Sequence, residues 1–449
     1  MFDPASWNTP AGAEERLLIR DQSYDITNGV IRMGGNCAAA GSAPSAPGGV
    51  MTEDLPFYPM PSESRLHPAA RLAELQAKCP VTRVRIWNDM QPWLFTRHDD
   101  VCAILSDPQV SADSSAPGYP STSLATVQTR TEFPTFLQMD APEHIFYRRM
   151  VAGGFTTPRA EGYRAEITEL VDEALDELLA MQPPLNFVEA FALVVPSRMI
   201  GKLLGVPYAD HEFFQSRSHT LTSGLSTQQE LATATAEMRE YLEDLITAKE
   251  RDPGDDLLSQ LIVRHARKGE ISHEQVVATA RMLLTGGHDT TASMTALGTL
   301  ILLLHPDQMA QLRADRSLLP NAVEEMLRFF TITHIGRRRV AVADIERAGV
   351  TVRAGDGIIA DHKMANRDPS KFAEPNTFDI SRDTVGHVAF GAGPHQCLGQ
   401  QLARVELQVI FDRLLTRIPN LHLVGGIEDV RWRDEGVVTL GLDEMVVSW

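Results

Sequence analysis

The sequence predicts a mainly α-helical fold with a minor β region, and three observations carry that reading. From about residue 140 to 330, apolar residues recur every three or four positions, the spacing of helices with one buried face. Within that span, "GEISHEQVVATARMLLTGGHDTTASMTALGTLILLLHP" is apolar nearly all round, as a helix crossing the interior would be. Alternating, strand-like patterns are confined to short runs before and after it.

Taken in order, residues 1–50 end in "GGNCAAAGSAPSAPGGV", too rich in Gly, Ala, Ser and Pro to bury a core. They are expected to be a flexible extension, with residues 51–449 forming a single folded domain. Residues 81–100, "VTRVRIWNDMQPWLFTRHDD", alternate as strands around a turn at Asn88-Asp89. "AEITELVDEALDELLAMQ" and "STQQELATATAEMREYLEDLITAKE" are amphipathic helices. The long central helix opens on a Ser272/Gln275 capping box and closes at His305-Pro306. Its length is about 32 residues, or roughly 48 Å. Its middle, "TGGHDTT", places two glycines at a cost of about 2 kcal/mol against alanine, so something must approach that backbone closely. Beyond residue 330, "RRRVAVADIERAGVTVRAGDGIIA" reads as short strands with Gly turns, "CLGQQLARVELQVIFDRLLTRI" as a last helix and 421–449 as strands.

Composition narrows the function. A net charge of −18 argues against nucleic acid or an anionic membrane as the main partner. The four cysteines show no CxxC spacing, which excludes a zinc knuckle and disfavours a disulfide scaffold, so a reducing cytoplasm is expected. No apolar run reaches the ~20 residues of a membrane span, and the N-terminus lacks a signal-peptide pattern.

Cys397, in "FGAGPHQCLGQQLARVEL", is the residue that raises a chemical question. A buried apolar filler, a nucleophile, part of a metal cluster and a single axial ligand all remain open. Glycines flank it and a helix starts just behind it. A thiol beside helix N-terminal amides is expected to have a lowered pKa, which suits a nucleophile or a ligand.

That loop resembles the haem-binding loop of the cytochrome P450 family, F-x-x-G-x-x-x-C-x-G, with Phe390, Gly393, Cys397 and Gly399 at the matching positions. The resemblance implies a P450 fold with its long central helix over the haem, haem b as cofactor and Cys397 as its axial thiolate. It extends over about residues 55–449. "EEMLR" is similar to the family's E-x-x-R, making Glu325 and Arg328 a structural pair. "DAPEHIFYRRM" places His144 and Arg148, "GRRRVAV" places Arg339, and the loop places His395, at positions that meet the haem propionates. "GGHDTT" resembles the family's distal motif. There Gly286 and Gly287 would admit bound oxygen, while Asp289 and Thr290 would relay protons.

The resemblance implies a monooxygenase that hydroxylates or epoxidises an apolar small molecule with O2, fed by a ferredoxin or flavodoxin with its reductase. Arg404 is a candidate for that electron-donor surface. A nitric-oxide-reducing haem-thiolate enzyme is the alternative, suggested by "FPTFLQMDAPEH"; the Asp289-Thr290 pair disfavours it. A non-catalytic haem sensor and a peroxide-driven enzyme are further alternatives disfavoured on the same ground. Substrate contacts are expected from the loop before Pro134, Leu283, Thr331, Ile332, His334 and Val438.

Overall fold

The computed structural model describes residues 55–122, 134–222, 226–333, 335–433 and 439–449. The expected 1–50 extension, the loop before Pro134, His334 and Val438 lie outside the described residues.

The helices that build the site are α1 (His98–Ser106), α2 (Glu143–Ala152), α3 (Arg164–Ala180), α4 (Val194–Leu204), α5 (Gln228–Arg251), α6 (His273–Leu304), α7 (Leu319–Phe330) and α8 (Gln400–Arg417). The central helix α6 has the expected ends. The Ser272 Oγ accepts from the Gln275 backbone N–H at 3.2 Å, and Gln275 Oε1 accepts from the Ser272 N–H at 3.0 Å. At the other end His305 caps the helix and Pro306 opens the next one, since proline cannot continue the i→i−4 ladder. From Thr291 to Leu302 every residue of α6 is buried, and the helix packs against α4, α5, α7 and α8. Burial on all sides explains its lack of a polar face.

Five short strands form the main sheet: β1 (Val81–Arg83), β2 (Trp93–Phe95), β3 (Val110–Ser111), β4 (Arg337–Ala341) and β5 (Gly357–Ala360), in spatial order β1-β2-β5-β4-β3. β2 and β5 run parallel; the other pairs are antiparallel, with Arg339 opposite Ile358. The strand reading of 81–100 needs a correction at its end. The hairpin turns at Asp89 (φ 61°), but from His98 the chain is helical. Asp99 and Asp100 fall in the first turn of α1, where carboxylates favour the helix N-terminus. Among its described residues the tail beyond 421 forms four strands of two or three residues, as expected in kind.

Glu325 and Arg328 of α7 have no exposed side-chain surface. Arg328 forks onto both Glu325 oxygens at 2.6 and 2.8 Å and donates from Nη1 to the carbonyls of Asn366 and Pro375. Arg382 and the Asp379 N–H complete the carboxylate's shell. The pair therefore staples α7 to the 366–382 segment. Two further arginines, Arg413 and Arg417, bind Asp172 and Asp176 and tie α8 to α3. Among the described residues no helix is long and apolar enough to cross a membrane.

Candidate active site

A cavity of about 1770 Å³ lies between these elements. Its walls come from α6 (Arg281–Thr291 and Met294), β4, the loop 389–399, the start of α8 and the segment around Phe136.

Cys397 lines this cavity three residues before α8, a free thiol whose N–H donates to the Phe390 carbonyl at 2.8 Å. The expectation of a lowered thiol pKa fails. Burial pushes the Cys397 thiol up, and this outweighs the Gly399 backbone contact and the charges of Arg337, Arg148 and Arg404. A buried thiol kept protonated is a poor nucleophile, whereas a coordinating metal deprotonates it outright. Among the described residues no cluster of His, Cys, Asp and Glu could hold a metal ion.

Beside the thiol stand several basic residues. Arg148 lines the cavity and donates to the Gln396 carbonyl at 2.6 Å. Arg337 and Arg339 lie two apart on β4, hence on one face of the strand, and both line the cavity. Arg337 is accessible to solvent yet enclosed by protein, as a side chain projecting into an internal cavity must be. His395 packs its ring 4.1 Å from that of His144. The family's propionate helix was expected to offer His144 as a cation, but both imidazoles are held neutral. Burial and then the neighbouring arginines push His395 down to about 3, and burial with Arg148 lowers His144. Arg148 and His395 border the cavity; His144 sits behind His395.

On the α6 wall, Thr290 Oγ1 donates to the Gly286 carbonyl at 2.7 Å. Asp289 is buried, with both carboxylate oxygens 3.0 Å from Arg433 Nη1. A threonine bonded one turn back is an ordinary helix contact. What distinguishes it here is that both residues line the same cavity as Cys397.

A family model described as Cytochrome P450 matches residues 209–418. The chain is 42% identical over 399 residues to the vitamin D3 dihydroxylase of Streptomyces griseolus, covering 89% of this chain and 98% of that protein. The crystal structure of GfsF superposes with a TM-score of 0.83 at 41% identity, covering 88% of this chain and all of that one. The mycinamicin VIII C21 methyl hydroxylase of Micromonospora griseorubida, solved with mycinamicin VIII bound, gives a TM-score of 0.81 at 38% identity, covering 88% of this chain and 100% of that one.

The chain belongs to the cytochrome P450 family. It is a haem-thiolate monooxygenase that uses O2 on apolar small molecules, and its cofactor is haem b with an axial cysteine thiolate.

The residues around the P450 cavity fit that group. Nε2 of His144 and Nδ1 of His395 are buried without a hydrogen-bond partner, and Arg337 has no partner among the described residues, so these basic groups have donor capacity to spare beside Cys397. A Cβ built on Gly286 or Gly399 would meet nothing within 4 Å, and both glycines border the cavity. The other two motif glycines serve packing instead. A Cβ on Gly287 would lie 2.7 Å from Ile200 of α4, and one on Gly393 would strike the Leu105 carbonyl of α1 at 2.3 Å. Gly393 also has φ +70°, which a side chain would strain.

Other expectations divide similarly. Leu283 and Ile332 border the cavity, and Phe390 does so while stacking on Arg404 at 4.6 Å. Thr331 does not border the cavity. It is fully buried at the end of α7, donating to the Arg328 carbonyl and accepting from Asn366. Arg404 is not a free surface cation either; Glu324 holds it at 2.7 and 2.9 Å. Sequence reasoning missed Arg337, Arg433 and Arg281. Arg337 was readable from the two-residue period of the strand it shares with Arg339. Arg433, 144 residues beyond Asp289, carried no signal.

Proposed function

We propose that Cys397 supplies the axial thiolate, that Arg148, Arg337, Arg339, His144 and His395 hold the haem carboxylates, and that Asp289 and Thr290 handle protons. When bound, haem with a thiolate ligand activates O2 so that one oxygen atom enters a C–H or C=C bond. Cys397 is the only motif cysteine and it borders the cavity beside the arginine cluster, which is the observation that carries the assignment. The cations offset carboxylates that would otherwise be costly to bury. Gly286 leaves its stretch of α6 free of a side chain where space is needed. The Thr290 hydroxyl, bonded through its proton to the Gly286 carbonyl, keeps its lone pairs available to accept a hydrogen bond; turning it makes it a donor. Asp289 supplies the next proton acceptor along the wall, gated by its hold on Arg433.

Electrons are expected from a separate ferredoxin or flavodoxin with its reductase. The substrate is expected to be an apolar molecule on the scale of a steroid or macrolide. Met282, Leu283, Ile200, Phe136, Met238 and Ile332 give the cavity apolar walls, and relatives are named for vitamin D3 and mycinamicin.

The test is Cys397→Ser. The reduced carbon monoxide adduct of the wild type should show the long-wavelength Soret band of thiolate ligation, and the variant should lose it. An unchanged band would transfer the ligand role to another residue.

A further inference from the structure

Several charged residues that border the cavity have no place in that scheme, two arginines among them: Arg338, on β4 with its guanidinium over the Tyr58 ring, and Arg281. Arg281 borders the cavity on α6, nine residues before Thr290 and so about 13 Å from it along the helix axis. It stands apart from the cations beside Cys397. More than half buried, it makes no ion pair or hydrogen bond to any described residue. Burial and the like charge of Arg239 both disfavour its cation. Arg239 itself is matched by Glu243 at 2.7 Å, so that carboxylate is already engaged.

Apart from Glu143, the acids that border the cavity already have hydrogen-bond donors or are kept neutral by burial. Asp113 accepts from Ser115, Asp140 from Ser111 and the Ala112 N–H, and Asp289 from Arg433. Glu406 is buried without a cation. Glu143 is exposed and forms no ion pair. An arginine drawn into protein with no partner carries a desolvation cost that an apolar residue would avoid, and its forked donors are shaped for a planar anion. Between Arg281 and Thr290 the same wall offers Met282, Leu283 and the bare backbone of Gly286, with Ile200 and Met238 also bordering the space.

We propose that Arg281 binds the carboxylate of an amphipathic substrate whose apolar body extends along α6 toward Thr290. The substrate class is thereby narrowed from apolar molecules in general to apolar acids, oxidised at a carbon remote from the carboxylate. This rests on the cavity being the P450 substrate site.

Dodecanoate and 1-dodecanol serve as probes, matched in chain length and differing in charge. Their affinities for the haem-loaded full chain are read at neutral pH from the Soret shift and by calorimetry. Wild type should bind dodecanoate about tenfold more tightly than dodecanol, the scale of a charged hydrogen bond in a partly screened site. Arg281→Gln should erase the preference by weakening dodecanoate alone, and Arg281→Lys should recover part of it. Equal binding of the two probes by wild type overturns the proposal without needing any variant. So does an equal loss of both probes in Arg281→Gln, which would mark a packing role. The carbon monoxide spectrum of the same wild-type sample separates the two inferences. A missing thiolate band sinks the assignment of the site, whereas a normal band with no probe preference sinks only the role of Arg281.

Discussion

Two buried carboxylate–arginine pairs, Glu325–Arg328 and Asp289–Arg433, look alike in a list of contacts and differ in how they are completed. Glu325 and Arg328 are wholly unexposed, and the carboxylate has Arg328, Arg382 and a backbone N–H as partners. Arg328 spends its remaining donor on two carbonyls. Asp289 instead meets a single nitrogen of Arg433, at 3.0 Å to each oxygen. Arg433 Nε has no hydrogen bond, and its second acid, Asp443, stands off at 3.7 Å. Asp289 also faces the cavity, whereas Glu325 does not border it. A closed network braces the fold because every departure leaves a buried charge bare. An open one can exchange partners at modest cost, which a proton-handling acid requires.

The comparison breaks most visibly at Glu325. Glu325→Gln removes the charge but leaves Arg328 and Arg382 buried, so stability should fall by about 3–5 kcal/mol. Urea unfolding and haem content would report it, and a loss below about 1 kcal/mol would mean the network does not brace α7. Asp289→Asn should do the reverse. Its fold should survive, because Arg433 keeps an amide oxygen as acceptor and Asp443 nearby. Product should form about a hundredfold more slowly, the usual scale for a lost proton-transfer group, with a larger share of electrons uncoupled from product. A melting loss as large as that of Glu325→Gln, with coupling intact, would make the two pairs equivalent and end the distinction.

The unequal legibility of these pairs has a physical origin. Glu325 and Arg328 are three apart on one helix, so local spacing exposes them in the sequence. The same holds for the capping box of α6, the Cys397 loop and Arg339, all of which occupy one turn or one strand. Arg433 reaches Asp289 only because the tail folds back, and nothing local to either residue encodes that approach. The thiol pKa went the wrong way for a related reason. Helix position is visible in the sequence, but the burial that outweighs it is a property of the assembled walls. Thr331 is expected at the pocket because its stretch resembles the family's pocket segment; a left-handed turn at φ 45° sends its hydroxyl to Arg328 and Asn366 instead.

A third acid sharpens the comparison by lacking an arginine altogether. Glu406 of α8 is 3% exposed, has no hydrogen bond at Oε2, and burial alone raises it to about 8. Its side chain is therefore protonated in the folded protein at neutral pH, while in the unfolded chain it ionises near 4.5. The folded state holds the extra proton across that window, so stability falls as pH rises. The contribution is complete below about pH 4.5 and is lost by the time the pH passes about 8. Glu406→Gln keeps the shape without the titration and should flatten this slope. Relative to wild type the variant should gain about 3–4 kcal/mol between about pH 5 and pH 8, read from urea unfolding of the haem-loaded protein at both ends of the range. Parallel stability curves for the two proteins would mean that Glu406 finds a proton-independent partner when folded. The contrast between Glu406, kept uncharged without a cation, and the two arginine-paired acids would then fail.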